Sequence, residues 1–121
     1  MFGWLKKSKS STSANRGKLD FSTIDSNEKA IELYEKGELV KMYLMPIVFG
    51  GQDNSLNTLY APKFALGLKE RFDKKIEKEL MNGKRLSYSG TPKYKGKSFI
   101  PSKLVITVSG DSDFRKTIAI W

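Results

Sequence analysis

Two hydrophobic rhythms run along the chain, and the change between them divides it. From 63 to about 81, Phe64, Leu68, Phe72, Ile76 and Leu80 recur every four positions, with Lys69, Arg71, Asp73, Lys74, Glu77 and Lys78 between them. That spacing predicts one long amphipathic helix whose apolar stripe is core. Pro62 suits its first turn, and Asn82 with Gly83 its close. In the C-terminal third the period is two: Leu104, Ile106 and Val108, and then Ile118 and Ile120, alternate with other side chains. "KRLSYSGT", "SKLVITVSG" and "FRKTIAIW" therefore read as strands, with "SGDSD" a hairpin turn between the last two.

Upstream, "STIDSNEKAIELYEKGEL" predicts a short helix over about 26–36. Asp25 and Glu28 have capping-box spacing and Gly37 is a stop. "ELVKMYLMPIVF" reads as a mostly buried strand that yields at Pro46. "GGQDNSLN" is then a loop, and "NTLYAP" a brief strand. The expected architecture is a single α+β domain over 19–121, an antiparallel sheet of about 4–5 strands with the long helix on one face. The 121 residues suffice for one core and not two.

Composition changes this picture in two places. Five of the nine net positive charges lie in residues 1–18 (Lys6, Lys7, Lys9, Arg16, Lys18, no acid), beside a short apolar head (Phe2, Trp4, Leu5). Such a segment buries too little to offset its ordering entropy, so it reads as a flexible basic tail. Its alternative use is contact with an anionic membrane. It is not a secretory leader, because the charge follows the apolar residues, and no apolar run approaches the roughly 20 residues of a membrane helix. Secondly, the chain has no cysteine and no histidine. That excludes disulfides, thiolate zinc and imidazole bases, and leaves only carboxylates as charged ligands, which suit hard ions such as magnesium or calcium. No metal or cofactor is expected.

Within "MYLMPIVFGGQDNSLNTL" a glycine pair precedes an asparagine. Further on, "LMNGKRLSYSGTPKYKGKSFIPSKLVITV" carries a Pro-x-Tyr-x-Gly-like turn and a strand entry. Over residues 39–121 this order resembles the bacterial DNA/RNA non-specific endonucleases, a ββα-metal family common among toxins. The resemblance implies a bacterial, cytoplasmic setting near contact-dependent toxin systems, with Asn57 at the metal-binding asparagine and Glu70 or Asp73 as an assisting carboxylate. The family's general-base histidine falls on Tyr43, and a phenol near pKa 10 is a poor base at pH 7. The resemblance thus implies a degenerate scaffold without catalytic residues. The resemblance makes Tyr43, Gly50, Gly51 and Asn57 a vestigial metal loop; read from the residues alone they are a plain turn, with Asn57 satisfying loop backbone.

Residues 80–110 hold Lys84, Arg85, Lys93, Lys95, Lys97 and Lys103 and no acid, interleaved with Tyr88, Tyr94 and Phe99. Basic groups among aromatics can hold phosphates while rings stack on bases. The same pattern serves as a solvated lysine surface over core rings. Three functions follow: a non-catalytic module binding an unknown protein partner, a nucleic-acid binder using Lys84, Arg85, Tyr88, Lys93, Tyr94, Lys95 and Lys97, or a residual magnesium-dependent nuclease. The first is the expectation. An immunity protein that plugs a nuclease should be acidic, and this chain is basic.

Overall fold

Short-range signals set most element ends, and the computed structural model describes residues 19–121. The tail expected over 1–18, with its membrane contact, lies outside the described residues. Helix α1 spans Asn27–Glu35. Its cap is Ser26, whose Oγ accepts from the Lys29 amide at 3.2 Å. Asp25, expected in that role, instead meets the Lys29 ammonium at 2.8 Å. One residue decides this: the extended backbone at Ser26 places its side-chain oxygen against a free amide of the first turn. Gly37, at φ 80°, ends the helix and lets the Glu38 and Leu39 amides reach the Leu33 carbonyl.

Strand β1 (Val40–Tyr43) stops three residues before Pro46, and the apolar run continues as a 3₁₀ turn, Ile47–Phe49. It pairs antiparallel with β2 (Thr58–Ala61), Val40 opposite Ala61 and Tyr43 opposite Thr58. Pro62 then caps α2 (Lys63–Met81), which closes at Asn82 and Gly83. Strands β3 (Leu86–Lys93), β4 (Lys103–Gly110) and β5 (Phe114–Ala119) form an antiparallel sheet in that order. The described residues form a single α+β domain whose five strands fall into two antiparallel sheets, where one sheet was expected. The chain leaves β1 before it reaches β3. A Cβ at Gly90 of β3 would lie 3.3 Å from the Leu44 carbonyl, a close approach without a ladder.

One core joins both sheets. Leu104, Ile106, Val108 and Ile118 meet Met42, Leu59 and Ala61, with Ala65 and Ile76 of α2 and Ile24, Ala30 and Leu39 from the N-terminal side. The expected stripe of α2 holds at its centre, where Leu68 and Phe72 pack on the core and Ile76 is buried. It fails at its ends: Phe64 is 52% and Leu80 36% exposed. At about 3.6 residues per turn a four-residue step overshoots by roughly 40°, so such a row winds off the buried face. Ala65 and Lys69 take the place facing inward.

Candidate functional site

A carboxamide can satisfy a carbonyl and an amide together, and Asn57 does so. Its Oδ1 accepts from the Met45 amide at 2.8 Å, and its Nδ2 donates to the carbonyls of Met45 and Gln52, each at 2.9 Å. The Asn57 amide donates in turn to Asn54 Oδ1 at 3.1 Å. These bonds tie the two ends of the loop between β1 and β2. Gly51 sits inside the tie, where an added Cβ would fall 1.9 Å from the Met45 carbonyl oxygen. Gly50 adopts φ 100° as the turn reverses. Both glycines and the asparagine thus hold a loop shape.

Tyr43 lies at the mouth of this loop with Lys41 and Asp53. Lys41 Nζ is 3.8 Å from Asp53 Oδ1 and 5.8 Å from the centre of the Tyr43 ring. The Asp53 carboxylate favours the protonated phenol and pushes the Tyr43 pKa further up, away from the range of a base. The residues do not fit a metal. Asn57 is spent on backbone, Asp73 is engaged elsewhere, and among the described residues no three His, Cys, Asp or Glu side chains converge.

Asp73 belongs to an interior network. Lys69, 3% exposed, donates to Asp73 Oδ2 at 2.7 Å and to the Tyr88 hydroxyl at 3.0 Å, and that hydroxyl donates to Asp73 Oδ1. The Tyr88 ring stands edge-on to Phe49 of the loop at 5.4 Å. Burial pushes the Tyr88 phenol up, Asp73 adding to the effect, and pushes the Lys69 ammonium down against the pull of Asp73. A closed triangle with charge balanced inside is how a protein retains a lysine in its core. Tyr88 is therefore part of the packing between α2 and β3, and its ring is already flanked.

The remaining basic stretch is divided by the length of β3. At one end Lys84 pairs with Glu79 and donates to Ser112 Oγ at 2.8 Å, and the Arg85 amide is held by Asp111 at 2.8 Å. At the other end are Lys93, Tyr94, Lys95 and Lys97, all exposed, with Lys95 Nζ 4.6 Å above the Trp121 ring. Eight residues of strand separate the groups, roughly 25 Å. The seven residues do not form one surface.

A second cationic site was not read from the sequence. Arg71 and Lys75 of α2 and Arg115 and Lys116 of β5 line a cleft of about 320 Å³. Its contributors lie some forty positions apart in the chain, so no local pattern joins them; only the four-residue spacing of Arg71 and Lys75 was visible. Comparison with known protein families finds no match for the chain, and no curated protein matches it.

Proposed function

We propose that this protein is a non-catalytic binding domain of the bacterial cytoplasm, built on a degenerate nuclease-like scaffold, that engages a protein partner through the loop between β1 and β2. One observation carries the reading. Ile47, Val48 and Leu56 are 48%, 76% and 89% exposed on a loop tied at both ends by Asn57. Three large aliphatic side chains within ten residues of one loop exceed the scattered exposure that needs no explanation. Because the loop is already held, a partner meets it without the entropic cost of ordering it.

The order of strand, glycine loop, strand and long helix supports descent from a ββα scaffold. The engagement of Asn57 by backbone, and the raised Tyr43 phenol, support a role without turnover. Among the described residues no helix is long and apolar enough to cross a membrane.

The test uses the full chain as immobilised bait in bacterial extract, with and without nuclease treatment, beside the variant Ile47→Ser/Val48→Ser/Leu56→Ser. All three side chains are exposed, so the variant keeps its fold, and a matching circular dichroism spectrum verifies this. Proteins held by the parent are expected to fall about tenfold or more with the variant. Equal retention by both, or partners that vanish on nuclease treatment, would refute this assignment.

A further inference from the structure

Like charges brought together at a surface repel, and a fold that gathers them without counter-charges is suited to receive an anion. The cleft between α2 and β5 is such a place. Arg71 and Lys75 come from one helix face and Lys116 from the α2 side of the edge strand β5, while Arg115, which alternates to the outer face, stands at the rim; no acid is among the lining residues. None of the four makes an ion pair within the described residues. Leu68, Phe72 and Phe114 close the inner side, packed against the core. Lys75 Nζ lies 4.7 Å from the Phe114 ring centre, which sets the ammonium at the cleft instead of leaving it free in solvent.

Beyond that rim, the outer face of the sheet, on the side away from α2, carries similar groups. Arg115 stands opposite Thr107, and Thr107 opposite Ser89, across the three strands. The next rows on that exposed face are Thr91, Val105 and Thr117, then Lys93, Lys103 and Ala119. Apart from Val105 and Ala119 these rows carry hydroxyls and cationic groups, and no carboxylate or aromatic ring stands in them. Phosphate contact is thereby favoured and base reading is not.

The geometry points to the α2–β5 cleft as a binding site for the phosphodiester backbone of nucleic acid, independent of sequence, with Arg71, Lys75, Arg115 and Lys116 as the contacts. It uses different residues from the loop that contacts protein, and its test does not involve a protein partner.

Fluorescence anisotropy of the full chain with labelled duplex DNA and single-stranded RNA, over a range of salt, reads the site directly. Each phosphate contact contributes about −0.9 to the slope of log K against log salt on duplex DNA, so four contacts lose roughly 150-fold in affinity between about 50 and 200 mM. The variant Arg71→Gln/Lys75→Gln is expected to have a slope shallower by about 1.8, and Arg115→Gln/Lys116→Gln likewise. The control Lys36→Gln/Lys63→Gln removes as much charge elsewhere and is expected to leave the slope unchanged. The N-terminal charges are common to all four proteins and cancel in the comparison. Circular dichroism confirms that each variant is folded. An equal loss of slope in the control would show general attraction to a basic protein and overturn the site. So would retention of the parent slope by both cleft variants, or binding of inorganic phosphate or phosphatidylserine vesicles without binding of either oligonucleotide.

Discussion

Asn57 is where a metal ligand and a structural clamp are hardest to tell apart from sequence, because a carboxamide does either. The sequence displays the glycine pair and the asparagine. It does not display Met45, whose amide and carbonyl receive the carboxamide from twelve positions away, because backbone partners leave no mark in residue type. Replacing the amide nitrogen by oxygen separates the two roles. In Asn57→Asp the acceptor for the Met45 amide survives, but a carboxylate oxygen is set against the carbonyls of Met45 and Gln52, where a donor stood. We expect a loss of about 1–3 kcal/mol in urea unfolding, comparable with Asn57→Ala. Magnesium at millimolar concentration should leave both midpoints where they are. An aspartate is the better magnesium ligand, so a midpoint restored by the ion would identify a metal site after all.

The helix α2 was the most legible element, and also where the pattern misled. Its extent, its entry at Pro62 and its close at Asn82 and Gly83 follow from local chemistry. The identity of its buried face does not follow from hydrophobicity alone. A row drawn through Phe64 and Leu80 passes over Lys69, which the fold buries because Asp73 one turn on, and Tyr88 from β3, satisfy it. Residue type argues against a buried lysine, and only the tertiary partner reverses the argument. This joint between helix and sheet has a pH signature. The Tyr88 phenol is raised above its ordinary 10.0 by burial first and Asp73 second. Its contribution to stability is therefore complete below pH 10.0 and is lost above it, where the unfolded chain ionises and the folded one resists. Lys69, lowered by burial, has the opposite sign: the cost of burying its charge fades as the pH climbs toward 10.5. Tyr88→Phe abolishes the first effect and leaves the second. At neutral pH the variant should be less stable by about 1–3 kcal/mol, since Asp73 loses a donor and Lys69 an acceptor. That gap should narrow between about pH 10 and 11 in urea titrations. A gap of constant size across the range would mean that the phenol ionises alike in both states.

For the molecule as a whole, composition fixed the class and left the layout open. The long helix and the C-terminal strands followed from periodicity, and β1 and β2 from apolar and branched residues, whereas the division of the expected single sheet of about 4–5 strands into two depends on where β1 ends and on how closely Leu44 approaches Gly90. That division places the two candidate surfaces apart. The loop packs beside β3, where Phe49 meets Tyr88, and the cationic cleft opens along β5. With the order β3-β4-β5, they flank opposite edges of one sheet, two strand spacings or roughly 10 Å apart across its backbone. The loop is tied internally by Asn57, and the cleft is made of side chains on regular elements, so occupation of one surface requires no change at the other. If both proposals hold, a protein and a nucleic acid would bind additively. The loop variant Ile47→Ser/Val48→Ser/Leu56→Ser should therefore bind duplex DNA with the parent's affinity and salt slope, measured by anisotropy. Sites this separate, with no shared partners, normally add to within about 0.5 kcal/mol, little more than a twofold change in affinity. A larger shift would mean that Phe49, Tyr88 and the Lys69–Asp73 pair of α2 transmit the state of the loop to the cleft, since they are the packed contacts that lead from one edge toward the other.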